Sequence, residues 1–192
     1  MKRLGRSTFA LAACLLVCCG GDTRQIDLRD ATRRGPAGAQ TEIVVFSDFQ
    51  CPFCKRAAAE LERIHRSRPH RTKIYFKHFP LSYHPQGLNA AHAAEAARLQ
   101  GKFWEMHDLL YANAQELQDD SYAALAAELG LDVERFERDR QSFEVQNRVA
   151  ADRAEGEALG VDGVPYFLIN RVPFHGAYDE IAEQLESFGR AR

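Results

Sequence analysis

The chain alternates between short apolar runs and longer amphipathic stretches, and their order predicts most of its elements. Glu42-Ile43-Val44-Val45-Phe46-Ser47 is β-branched and aromatic, short, and without polar alternation, so it predicts a buried central strand. After Asp48-Phe49-Gln50, the residues Ala57, Ala58, Leu61 and Ile64 share one helical face. A helix should therefore run from Cys51-Pro52-Phe53-Cys54 to about Arg66. Pro52 suits its first turn, where a missing N–H costs no hydrogen bond. Lys73 to Phe79 predicts a second strand, stopped by Pro80. Strand, helix and strand make a βαβ unit with both cysteines at the carboxyl end of its first strand. Open α/β sheets place their sites there.

From about Gln86 to Leu159 the pattern is helical throughout. Tyr122, Leu125, Ala126 and Leu129 stand at i, i+3, i+4 and i+7, with Gly130 where a C-capping glycine belongs. Phe103, Met106 and Leu110 form a second stripe around Trp104. So many consecutive helices need a subdomain of their own, an insertion of about 70 residues. Sheet character returns at Val164 to Ile169. Asn170-Arg171 predicts a tight hairpin turn, and Val172 to His175 a last strand whose proline marks an edge. Gly176 then introduces a closing helix with Ile181, Leu185 and Phe188 on one face. No internal repeat is present.

The N-terminus reads as an address. Lys2, Arg3 and Arg6 precede an uncharged, mostly apolar run from Ser7 to Cys19, the pattern of an export signal and too short for a lasting transmembrane helix. The run meets Cys18-Cys19-Gly20-Gly21-Asp22, similar to a lipoprotein processing site with Cys19 as the lipidated residue, although Cys18 replaces the usual small residue before it. Leu11-Ala12-Ala13-Cys14 fits that pattern more closely but would leave Leu15-Leu16-Val17 on the mature end. Simple cleavage and release is the alternative. Gly20 to Gln40 is polar and contains Gly35-Pro36-Ala37-Gly38, which predicts a flexible tether. The expected divisions are thus a signal at 1–18, a tether at 19–40, the βαβ part at 41–85, the helical insertion at 86–159 and the returning sheet at 160–192.

Composition then narrows the chemistry. Hydrophobic residues make up 45% and charged residues 27%, which excludes a disordered chain. Twenty-five basic against 27 acidic residues give a net charge of −2, which falls to −5 once the three basic residues of the signal are removed. Neither a basic face nor a recognition motif for nucleic acid is visible.

Five cysteines reduce to two when Cys14, Cys18 and Cys19 are assigned to the address. An exported domain with only Cys51 and Cys54 has no disulfide framework, and a loop this small adds little constraint to the unfolded chain. The pair therefore points to redox chemistry. Zinc is the competitor, but a structural site needs four ligands, and the seven histidines are scattered singly with no second CxxC. No metal or other cofactor is expected.

The segments Phe46-Ser47-Asp48-Phe49-Gln50-Cys51-Pro52-Phe53-Cys54-Lys55 and Gly163-Val164-Pro165-Tyr166-Phe167-Leu168-Ile169-Asn170, with helices between them, resemble the DsbA-like thiol–disulfide oxidoreductases over residues 38–189. That resemblance implies an α/β, thioredoxin-like fold with an inserted all-helical subdomain. It implies Cys51 as nucleophile, Cys54 as resolving thiol, Pro52 and Phe53 as the tuning pair, and Pro165 as a cis-proline facing the dithiol. It also implies that the Val164 backbone pairs with an extended substrate. Two positions depart from the pattern. Val45 stands where some relatives carry a buried acid, leaving Asp48 as a guessed proton acceptor, and Arg171 replaces a hairpin glycine.

A first cysteine at a helix start faces unpaired N–H groups and the positive end of the dipole, which favour the thiolate. A stabilised thiolate makes the disulfide a better oxidant. The expected reaction is oxidation: a substrate thiolate attacks the Cys51–Cys54 disulfide, a mixed disulfide forms on Cys51, and Cys54 completes release. Lys55 and Arg56 could add cationic support, and Phe49, Phe53, Tyr83 and Trp104 could line an apolar groove. Expected partners are reduced or unfolded exported proteins and, by resemblance, a quinone-linked membrane protein that reoxidises a monomer in the periplasm or cell envelope. A reductase fed by a membrane electron donor, an isomerase, and a peptide-binding lipoprotein without catalysis are the alternatives.

Overall fold

A computed structural model of the chain describes residues 26–190. The leader, its cysteines Cys14, Cys18 and Cys19, and the first residues of the expected tether lie outside the described residues. Five strands form one sheet: β1 (Thr32–Arg34), β2 (Thr41–Ser47), β3 (Thr72–His78), β4 (Tyr166–Ile169) and β5 (Val172–Phe174), in the order β1-β3-β2-β4-β5. The helix α1 (Pro52–Ser67) carries the chain from β2 to the parallel strand β3, and the other neighbours are antiparallel. Five helices follow: α2 (Gly87–Arg98), α3 (Phe103–Ala112), α4 (Ser121–Glu128), α5 (Val133–Arg140) and α6 (Phe143–Leu159). A 3-10 turn at Tyr178–Glu180 leads into α7 (Ile181–Arg190). This is the α/β, thioredoxin-like architecture with an all-helical insertion.

The central strand is apolar throughout because both of its faces are covered. Ile43 and Val45 pack among α1, the inserted helices and α7, while Val44 and Phe46 meet Tyr75, Phe79, Val161 and Leu168 on the opposite side. Period-two alternation assigns the two sets to opposite faces, and burial of both removes any polar residue from the run. Helix α2 is buried almost all round by its alanines, Ala90, Ala91, Ala93, Ala94, Ala96 and Ala97, whose small side chains let neighbouring helices approach closely.

The tether expected at 19–40 requires correction in its described part. Ile26 is buried in the second core, Ala39 is buried, and Thr32–Arg34 forms an edge strand paired to β3. Three polar residues on a sheet edge carry no apolar periodicity, so their composition alone reads as linker. The strand expected from Val164 instead begins at Tyr166, because Val164-Pro165 is a cis bond in the loop before it. Both turn residues of the β4–β5 hairpin, Asn170 (φ 50°) and Arg171 (φ 69°), take the left-handed conformation that a two-residue turn of this kind demands.

A buried ion pair holds α6 against the sheet. Lys77 on β3 is only 3% exposed, and its Nζ lies 2.9 Å from Asp152 Oδ1 and 2.8 Å from Glu155. The second oxygen of Asp152 accepts the His78 backbone N–H at 3.1 Å.

Candidate active site

Strand β2 ends at Ser47, and α1 begins at Pro52, so the four residues between them turn the chain at the edge of the core. Cys51 occupies the N-cap of α1 in an extended conformation (φ −73°, ψ 121°), with Pro52 in the first turn. Cys54 lies one turn in and is fully buried; Cys51 is 5% exposed, and both are free thiols. The chain returns to this point from the far end of the sequence: Cys51 Sγ is 3.6 Å from the carbonyl oxygen of Val164, beside the cis Pro165.

The two sulfurs sit in opposite electrostatic settings. Cys51 is lowered from 9.0 to about 6, first by the hydrogen bond from the Cys54 thiol and then by the backbone N–H groups of Cys54 and Phe53, against the cost of burial. No short capping bond closes at Cys51, so these orphan N–H groups remain directed at the sulfur. Burial pushes Cys54 strongly upward, and the neighbouring Cys51 adds to it; the Ser47 hydroxyl and the Asp48 backbone act in the other direction. At pH 7 a midpoint near 6 leaves Cys51 about 90% thiolate, against about 1% for an ordinary thiol.

Alkylation of the reduced protein should therefore show a half-maximal rate near pH 6, and a midpoint above about 8 would contradict this electrostatic account. The linked stability has a definite sign. A folded-state value below the unfolded one stabilises the reduced fold at high pH, and that contribution is lost as pH falls through about 6.

Asp48, the acceptor guessed from sequence, has its carboxylate engaged elsewhere. Oδ1 accepts the Gln50 N–H at 2.7 Å, Oδ2 accepts the Leu81 N–H at 2.7 Å, and His84 Nδ1 lies 2.9 Å from Oδ2. Asp48 thus clamps the segment after β3 onto the active-site turn, and it meets Cys54 through its backbone. Gly87, the first residue of α2, lets that clamp close: a Cβ there would stand 2.8 Å from Asp48 Oδ2. Gly87→Ala should cost about 1–3 kcal/mol in urea unfolding, as overpacking does; an unchanged midpoint would show that the clamp yields freely.

The expected cationic support is directed elsewhere. Lys55 Nζ donates to the Ala112 carbonyl at 3.3 Å, and the Arg56 guanidinium stacks over the Phe53 ring at 4.8 Å. Of the four groove aromatics, Phe49 is a core residue stacked on Phe76, and Trp104 packs under the Arg34 guanidinium. Phe53 and Tyr83 are exposed, at 55% and 74%. Sequence reasoning missed Ser47, whose Oγ lies 2.7 Å from the Tyr111 hydroxyl, and Gln50, whose side-chain oxygen accepts the Gln86 N–H. The only local sign was their proximity to the CxxC. Among the described residues, no three His, Cys, Asp or Glu side chains converge as metal ligands.

Comparison with known proteins agrees with this geometry. Residues 42–186 match the family model described as DSBA-like thioredoxin domain. A thioredoxin-like oxidoreductase from Silicibacter pomeroyi DSS-3 superposes with a TM-score of 0.72 at 27% identity, covering 84% of this chain and 94% of that one. The thiol-disulfide exchange protein alpha-DsbA2 from Wolbachia pipientis shares the fold at a TM-score of 0.73 and 20% identity, covering 82% and 87%. Among curated relatives, a Na(+)/H(+) antiporter NhaA 1 from Mycolicibacterium vanbaalenii is 34% identical over 149 residues, and an NhaA 3 from Salinispora tropica is 36% identical over 147. Each alignment takes in 76% of this chain, which spans about a quarter of the length of these curated relatives.

Proposed function

The chain belongs to the family of DSBA-like thioredoxin domains, a thiol–disulfide oxidoreductase family, and from that premise we propose that it is a dithiol oxidase of exported proteins. The observation that carries the direction is the placement of Cys51 at the start of α1, against the Cys54 thiol and two orphan N–H groups. These contacts stabilise the thiolate, hence the reduced form, and so make transfer of the disulfide to substrate downhill.

In the oxidising direction a substrate thiolate attacks Cys51 Sγ. The Cys51–Cys54 bond breaks, and its electron pair and a proton end on Cys54. The substrate's second thiolate then attacks the substrate sulfur of the mixed disulfide, its own disulfide closes, and Cys51 leaves as a stabilised thiolate. Release therefore falls to the substrate's second thiol, and Cys54 performs release only in the reverse reaction, a correction to the step expected from sequence. An extended substrate would lie along the loop before β4, pairing with backbone at Val164, with Phe53 and Tyr83 offering exposed apolar surface nearby.

Export follows from the basic and apolar N-terminal pattern, with Cys19 as lipid anchor; among the described residues no helix is long and apolar enough to cross a membrane. The proposed partners are reduced exported proteins and a quinone-linked membrane reoxidant. Titration of the Cys51–Cys54 couple against glutathione tests the reading. The expected midpoint is less negative than about −200 mV; a value near the −270 mV of thioredoxin would reassign the chain as a reductase.

A further inference from the structure

We propose that Ser47 and Tyr111 form the proton route to the buried thiol of Cys54, ending in a small cavity behind the active site. The inference rests on the thiol-exchange reading above and names the group that this chemistry otherwise lacks. Cys54 is fully buried, yet it must gain a proton when it leaves the disulfide and lose one when it attacks. The Asp48 carboxylate is engaged by the loops it clamps, and Val45, on the same strand, carries no proton.

The Ser47 hydroxyl meets the Cys54 sulfur and can pass a proton to it, and its Oγ lies 2.7 Å from the Tyr111 hydroxyl. Ser47 is 3% and Tyr111 5% exposed, so neither hydroxyl exchanges freely with bulk solvent. Both line a cavity of about 20 Å³, large enough for one water. Trp104, Arg34 and Glu62 also line it. The buried Trp104 indole N–H has no hydrogen-bond partner among the described residues, so Trp104 brings one unpaired donor to a lining that is otherwise mostly apolar. The Arg34–Glu62 ion pair at the rim is partly exposed, and Arg34 also reaches Asp108, so the cavity leads toward solvent.

The step balances in both directions. When a substrate thiolate attacks Cys51, the electron pair of the Cys51–Cys54 bond stays on Cys54. Ser47 Oγ–H gives its proton to that sulfur, Tyr111 re-protonates Ser47, and a water at the cavity re-protonates Tyr111. In reverse, Cys54 gives its proton to Ser47 Oγ while Ser47 passes its own to Tyr111 and Tyr111 its own to the cavity water; the Cys54 sulfur attacks Cys51 Sγ, and the substrate sulfur leaves with the electron pair. Ser47 touches a reacting atom and is catalytic; Tyr111 acts through it as a positioning residue.

The test uses the full chain carrying a preformed mixed disulfide between Cys51 and glutathione, and follows glutathione release by Cys54 in H2O and D2O. Tyr111→Phe and Ser47→Ala should each slow release at least about tenfold and alter the solvent isotope effect, while the alkylation midpoint of Cys51 stays in place. Each single change takes from a buried hydroxyl its 2.7 Å partner and should lower the urea midpoint. The double variant removes both hydroxyls, so its stability should recover while release stays slow. A merely structural pair would recover both together, which would overturn the proposal, as would single variants releasing glutathione within twofold of wild type. Failure of the wild-type mixed disulfide to resolve would instead sink the thiol-exchange reading itself.

Discussion

Replacing Cys51 with serine is expected to reduce oxidative refolding of a reduced, disulfide-requiring substrate to background. The loss should be at least a thousandfold, roughly 4 kcal/mol of barrier. A serine hydroxyl cannot enter a disulfide, and no other described cysteine than Cys54 is available to take its place. Cys54→Ala should behave differently. It keeps the nucleophile but removes the thiol that contributes most to holding Cys51 as thiolate. The Cys51 titration midpoint should then move upward from about 6, and any mixed disulfide formed on Cys51 should persist for want of an internal thiol. Full refolding activity in Cys51→Ser would leave only a peptide-binding role.

The largest effect on stability should come from Asp152→Ala. The change strips Lys77, a charge held at 3% exposure, of its 2.9 Å partner, and it leaves the His78 N–H without an acceptor. Breaking a buried pair from one side costs about 3–5 kcal/mol, because the remaining charge stays desolvated. Glu155, at 2.8 Å from the ammonium, should hold the loss to the lower end. At this chain length, a loss of about 3 kcal/mol corresponds to a fall in Tm of roughly 6–12 °C. The double change Lys77→Met with Asp152→Asn removes the charge and retains an acceptor for His78, and it should recover most of the loss. Urea unfolding of the reduced protein decides this; a loss under 1 kcal/mol for Asp152→Ala would mean the ammonium reaches water.

These residues differ in how much of their role could be read from the chain alone. The position of Cys51 at a strand-to-helix junction was legible, because an apolar run, a proline in the first turn and a helical stripe are adjacent in sequence. The insertion was legible for the same reason. Lys77 was not: it sits inside an apolar strand run, and its partner is 75 residues away on α6. Ser47 likewise reads as the polar end of a strand until Tyr111, 64 residues later, is brought within 2.7 Å. Asp48 draws notice for its place beside the motif, but the bonds of its carboxylate to the Gln50 and Leu81 N–H groups and to His84 are visible only in the folded chain.

Local periodicity and turn chemistry thus determined the succession of elements, the dithiol and its place at the end of the central strand, since each depends on neighbours within a few residues. Tertiary structure alone decided that residues 26–40 pack as part of the sheet and second core, and that an internal lysine is neutralised by α6. It also decided that the Ser47 and Tyr111 hydroxyls meet beside the active site. Such pairings depend on side chains far apart in the chain sharing a low-dielectric interior. Hydrophobic pattern reports that a position is buried, but not which distant group satisfies its charge or its hydrogen bonds.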